Sequence, residues 1–313
     1  MESCLRLVPG DTDWYFPWYT TGQQFSFAQL QSAFGGSMST SHVQFPFQTQ
    51  IYLGKDWAER REALLSMKDQ KLLDAQRFIA ERTKFLDPSA PFAEASRFNT
   101  PEGDLRANRC DITPFDGVSS VQEVFDALLF YVFNMEISIS EMLGDITIRE
   151  AESDHLKDVF HNRFVSNIRD EVQVECNTLM FSKLYGASGN ASDFGGGRQF
   201  AVFAANFVEE DDLYPYSPST RLRHDVTAVL AVTLEPRKTG DEGEDEELVV
   251  VLTRAAQLNL RKTELPVPTH VMQDLRVRIE GWSDTMLKTL RGILYPERQP
   301  LSNCELGSEM PKF

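Results

Sequence analysis

The residues that could do chemistry in this chain are few and scattered. Histidines stand at His42, His155, His161, His224 and His270, and a histidine within reach of a carboxylate is the usual general base. His224 lies in RLRHDV beside Asp225, but neighbours on a strand point to opposite faces, so the two form no pair and an exposed strand entrance is expected. His155 and His161 lack the spacing of metal ligands. The cysteines, Cys4, Cys110, Cys176 and Cys304, contain no CxxC pair, which argues against a zinc site and against a dense disulfide framework. Glu136, Glu141, Asp145 and Glu150, and the run EEDD at 209–212, could supply paired carboxylates. No nucleophile converges on them, and surface positions explain them. No cofactor, metal or catalytic set is therefore expected, and an enzyme ranks behind the binding readings below.

The run YGASGNASDFGGGRQF, residues 185–200, invites a phosphate-cradle reading. A phosphate loop needs a following helix N-terminus and a GK[ST] step, and a kinase DFG needs its upstream Lys and catalytic loop. All of these are missing, and the run falls between two strand-like segments, so a flexible hairpin loop is expected. LYPYSPST (213–220) reads as a turn or polyproline-like connection whose Ser-Pro step could accept a phosphate.

The elements that must position these residues are clearer. Trp14 to Gly54 holds no Asp, Glu, Lys or Arg and has neither helical nor strand period, the pattern of a disordered, aromatic tail. From Asp56, DWAERREALLSMKDQKLLDAQRFIAERTKFL reads as a helix ending at Asp87-Pro88. Leu65, Leu72, Ile79 and Leu86 recur every seven residues, a stripe that suits packing on the chain's own body or self-association through 56–86 as a coiled coil. LRANRCDIT (105–113) is a first strand, Ser120 caps a buried helix VQEVFDALLFYVFNM, and EISISEMLGDITIRE is a short helical or extended piece. Five strand candidates follow from Val159 to Leu260 with no intervening helix, which favours an antiparallel meander. GDEGEDEE (240–247) is a charged hairpin tip. Thr269 is placed to cap a last helix, in which Val271, Leu275, Ile279, Trp282, Met286, Leu290 and Ile293 share one face.

Composition bounds the function class. The 313 residues carry a net charge of −16, which disfavours nucleic acid and anionic lipid surfaces as partners. MESCLRLVPGDTDWYF lacks a signal peptide's basic flank and apolar core, and VFDALLFYVFNM is too short to span a bilayer. A reduced cytoplasmic compartment is expected (a nuclear one is compatible), where the Asn190 sequon stays unglycosylated.

The order of a buried helix, a long antiparallel meander and a long C-terminal amphipathic helix resembles START-like, helix-grip domains, in which a sheet wraps the last helix. The wording GKDWAERREALL, FNMEISISEMLGDITIRE, LYPYSPSTRLRHDVTA and EELVVVLTR resembles a set of oomycete START-like proteins that includes a mating-specific family. The resemblance covers residues 88–296 and implies an α+β helix-grip fold for that START-like domain; the residues themselves add a tail (1–54), an amphipathic helix (55–87) and a polar tail (297–313). It also implies non-enzymatic binding of a lipid or other apolar small molecule, with Ile279, Trp282, Met286 and Leu290 lining the cavity. The alternative is a regulatory protein-interaction module with a filled interior, using the 56–86 helix and the aromatic tail.

Overall fold

A computed structural model describes residues 49–150, 158–189, 193–239 and 245–296. His42, His155, Cys4, Cys304, the Asn190 sequon, most of the 240–247 tip and both expected tails beyond these bounds lie outside the described residues.

The described chain is a mixed α+β fold built on one large sheet. Its elements are β1 (Tyr52–Leu53), α1 (Trp57–Thr83), β2 (Phe92–Asn99), β3 (Leu105–Phe115), α2 (Val121–Phe133), α3 (Met135–Leu143), β4 (Ile146–Arg149), β5 (Val159–Ile168), β6 (Val172–Tyr185), β7 (Phe200–Phe207), β8 (Glu210–Asp211), β9 (Arg221–Thr239), β10 (Asp245–Leu260) and α4 (Thr269–Leu294). Eight strands pair in the order β2-β3-β10-β9-β7-β6-β5-β4. All these neighbours are antiparallel; β9 additionally pairs in parallel with β6 at its start. β1 and β8 form a separate parallel pair, so Tyr52 and Leu53, expected within the tail, already belong to the fold.

Strand alternation sends successive side chains to opposite faces of the sheet. One face presents Leu179, Phe181, Val202, Ala204, Val229 and Ala231 to α1, which buries Leu64, Leu72, Ala75 and Ile79 against them. The seven-residue repeat is not the seam: Leu65 is exposed and Leu64 takes the inward place. An α-helix drifts about 20° per heptad, so a strict repeat cannot face one flat sheet throughout. With Leu72 and Ile79 spent on the sheet, that stripe is not available for a coiled coil.

α1 starts where Asp56 accepts hydrogen bonds from the Ala58 and Glu59 amides, both at 2.9 Å. Asp56→Ala should cost about 1 kcal/mol, read as a lower urea midpoint with an unchanged slope. The same end of the helix is anchored more firmly by Arg60. Its guanidinium donates to both carboxylate oxygens of Asp211 (2.8 and 3.1 Å) and to Gly54 O (2.8 Å).

The other face carries Met180, Ala201, Phe203, Leu230, Val232, Val250 and Leu252 against α2 and the second half of α4. The first turns of α4, through Val271 and Leu275, pack on Leu105, Ala107, Ile168, Val174, Leu222, Leu258 and Leu260. Ser120 Oγ accepts from Glu123 N at the start of α2. α4 begins differently from expectation: Pro268 holds the cap position without a side-chain bond, and Thr269 is already helical. Pro268 supplies the non-helical entry by its fixed φ.

β2 escapes the sequence pattern because it is an edge strand, largely exposed from Ala95 to Asn99. The glycine run joins β6 to β7. Gly195, Gly196 and Gly197 have φ of 78°, 62° and 75°, a region L-residues rarely adopt. A Cβ on Gly195 would lie 3.0 Å from the Phe200 side chain, against which Phe194 packs edge-on at 5.1 Å and Tyr185 stacks at 4.5 Å. Those glycines serve a tight turn, and no helix follows for a phosphate to meet.

Candidate functional site

The two apolar clusters on the α4 face are separate. Between them, opposite residues 276–285 of the helix, the sheet changes character. β10 presents Arg254 and Ala256, and β3 presents Ala107, Arg109 and Asp111, all on the face shared with Leu252 and Leu258. β9 contributes His224, Val226 and Ala228, and β6 contributes Cys176 and Thr178.

Polar groups in this band are bound to one another. Arg254 Nε and Nη2 each lie 2.7 Å from Asp111 Oδ2, a direct consequence of the register that sets Arg254 opposite Asp111. Arg109 Nε donates to Asp111 Oδ1 at 2.8 Å, and its Nη1 reaches Asp284 of α4 at 2.6 Å. The chain of charges therefore runs from the sheet to the helix. Burial draws the Arg254 guanidinium below its ordinary value, with Asp111 pulling the other way. Tyr131 of α2 and Thr285 of α4 share a buried hydroxyl contact at 3.1 Å, and burial raises the Tyr131 phenol. Cys176 bonds to Thr178 at 3.2 Å, and burial pushes its thiol up to about 12, so it is no thiolate nucleophile.

His224 overturns an expectation. It is 1% exposed rather than at an open strand entrance, because β9 begins three residues earlier, at Arg221. Burial pulls its imidazole from 6.5 down to about 4. Below pH 6.5 the unfolded chain takes up a proton here that the folded chain refuses. Stability should therefore fall as pH drops from about 6.5 to 4, by up to ~1.4 kcal/mol per pH unit, and be untouched above that window. Urea melts at pH 7 and pH 5 should show this loss, and His224→Gln should remove it.

One feature separates this band from an ordinary core. Val226 and Ala228 lie in the middle of β9, on the face covered by the helices, yet both keep accessible surface. Thr227 and Val229, their neighbours on the other face, are sealed at 2% and 0%. A small side chain borders the accessible pair, Ala256 opposite Ala228.

Of the four expected cavity residues, Met286 and Leu290 are packed in the apolar cluster with Phe203, Leu230 and α2. Ile279 and Trp282 lie on α4 opposite the band, and their side chains are outside the described residues. Asp111, Arg109, Arg254 and Tyr131 were not foreseen. A signal existed for Arg254, a lone charge at an inward position of the strand ELVVVLTRAAQLNL. The remaining histidines stand elsewhere: His161 on the α1 face, 2.6 Å from Asn177 Oδ1, and His270 3.0 Å from Glu171 on the surface. Glu136 pairs with Arg149, and Asp145 with Arg278 of α4. Among the described residues no three potential metal ligands stand together, and no helix is long and apolar enough to cross a membrane.

A trough of about 500 Å³ on the solvent side of α1 is lined by Ala58, Arg61, Glu62, Leu65 and Ser66. All five belong to one surface of one helix, so among the described residues it has a floor and no opposing wall.

No protein-family model and no curated protein matches the chain. Among solved structures it is similar to one described as the crystal structure of human STARD10, at 12% identity over 72% of this chain and 80% of that one, with a TM-score of 0.39. That likeness is too loose to carry an assignment.

Proposed function

We propose that this chain is a non-enzymatic, helix-grip binding protein of START-like type, taking one lipid or other apolar small molecule between the sheet and α4. The observation that carries the reading is the accessible surface of Val226 and Ala228 beneath a covering helix. Apolar walls stand at both ends, Val271, Leu275 and Leu258 on one side and Met286, Leu290 and Leu230 on the other. Ligand pockets combine such walls with a few convergent polar groups that fix orientation. Arg254–Asp111, His224 and the Tyr131–Thr285 pair supply these. Acid–base chemistry has little support, because the carboxylates here are already committed to guanidiniums and His224 is neutral at physiological pH.

Native mass spectrometry of the full chain, followed by organic extraction, tests this. A single apolar passenger per chain is expected. A bare polypeptide that stays bare after incubation with mixed lipids overturns the reading and favours the protein-interaction module.

A further inference from the structure

The β8–β9 connection, DLYPYSPST at 212–220, is held largely by side chains, because Pro215 and Pro218 have no N–H to give. Asp211 accepts from the Leu213 and Tyr214 amides, both at 3.1 Å. The Tyr216 hydroxyl donates to Val208 O at 2.6 Å, and its ring is approached by the guanidiniums of Arg223 (4.0 Å) and Arg163 (5.1 Å). Ser217 is the knot of the loop. Its N–H donates to Glu175 Oε1 at 2.7 Å, and its carbonyl accepts from the Thr220 and Arg221 amides at 2.9 and 2.8 Å. Its hydroxyl bonds to no described residue.

Ser217 is half-buried, while Pro218, Ser219 and Thr220 beyond it are exposed. A serine followed by proline on an exposed loop is what a proline-directed kinase reads. The chain's other such steps are Thr100-Pro101 and Thr113-Pro114. Thr100 is buried and Thr113 is paired within the sheet to Leu252.

We propose that Ser217 is a phosphoacceptor for a proline-directed kinase, and that its phosphate opens the clasp between β6 and β9. In the transfer the Ser217 oxygen bonds to the γ-phosphorus of ATP, the bond from that phosphorus to the bridging oxygen breaks, ADP leaves, and the hydroxyl proton passes to the kinase's base.

The clasp opens because, among the described residues, its cations are already paired with carboxylates. Arg163 pairs with Glu175 (2.6 Å) and Glu150 (3.5 Å), and Arg221 with Glu150 (2.9 Å) and Glu175 (3.7 Å). Arg223 pairs with Asp225 (2.7 Å) and Glu209 (3.4 Å). Arg261 pairs with Asp225 (2.6 Å), Glu209 (3.7 Å) and Asp104 (3.7 Å). Four guanidiniums thus face five carboxylates, and the Glu175 side chain is fully buried. A phosphoserine adds about −1.5 to −2 charges. It either repels Glu175 or takes Arg163 and Arg221 from it, and each course leaves a buried carboxylate without its counter-charge.

The consequence reaches the α4 face. Glu175 ends the parallel pairing of Gln173, Val174 and Glu175 with Arg221, Leu222 and Arg223, and Val174 and Leu222 support Val271 and Leu275 of α4. The proposal rests on the clasp and is independent of any bound ligand.

The full chain should be treated with a proline-directed kinase and ATP, the site mapped by mass spectrometry, and backbone hydrogen exchange followed. Phosphate is expected on Ser217 and absent there in Ser217→Ala. Exchange across 172–176 and 213–223 should quicken roughly tenfold or more in the modified chain and stay unchanged in kinase-treated Ser217→Ala. Failure of Ser217 to take phosphate, whether or not a synthetic 210–223 peptide does, overturns the acceptor assignment. A fully phosphorylated chain with unaltered exchange overturns the opening of the clasp.

Discussion

Replacing Asp211 with alanine should destabilise the fold by about 3–5 kcal/mol, the cost of stranding one partner of a buried ion pair. The Arg60 and Asp211 side chains are 3% and 0% exposed, so water cannot take over the lost bonds. The carboxylate accepts from Arg60 twice, from Asn177 Nδ2 at 3.1 Å and from the Leu213 and Tyr214 amides. Losing it frees the start of α1, the β1–β8 pair and the root of the 212–220 loop together. Burial alone would raise its pKa, but the hydrogen bonds from Arg60 and Asn177 outweigh burial and hold it below the ordinary 3.8. A depressed carboxylate contributes stability that is present above the unfolded value and is lost as pH falls through the folded one. Urea denaturation at pH 7 should therefore show the full deficit, and the acid limb of the wild-type curve should flatten in Asp211→Ala. Replacing both partners, Arg60→Met with Asp211→Leu, should recover most of the loss, since an apolar pair needs no compensation. An Asp211→Ala chain within about 1 kcal/mol of wild type would remove the clamp from this account.

This clamp also marks where sequence reading runs out. The strands from Val159 to Leu260 announce themselves because alternation of Val, Leu and Phe with polar residues is a local pattern, and α4 does so through its spacing of three and four. Asp211 sits in EEDD, which looks like a solvated acidic run, and its partner is 151 residues away. No local signal distinguishes Asp211, buried, from Asp212, exposed. The α4-face band fails for the same reason. Arg254 meets Asp111 only through the β10–β3 register, and Ala228 meets Ala256 only through the β9–β10 register. Met286 and Leu290 were legible as apolar helix positions. Periodicity identifies the face that is buried and leaves open whether a core or a cavity lies beneath each turn.

Ala228→Phe decides what lies beneath the middle of α4, and it should abolish retention of any apolar passenger while leaving the fold within about 1 kcal/mol of wild type. Ala228 is central in β9, faces the helices and keeps accessible surface. A ring added there should enter space that a ligand would otherwise fill, and it gains contacts as it does so. In a closely packed interior the same change has nowhere to go and costs about 1–3 kcal/mol through displaced side chains. Thr227→Phe supplies the control on the same strand. Thr227 is 2% exposed on the α1 face, so the added ring should impose the overpacking cost without touching the passenger. Co-purified apolar material measured by native mass spectrometry, with urea midpoints for both variants, separates the outcomes. A stable Ala228→Phe chain stripped of its passenger identifies the band as a binding cavity. A chain that loses as much stability as Thr227→Phe identifies it as core, and α4 then covers a filled sheet whose exposed surfaces must carry the function.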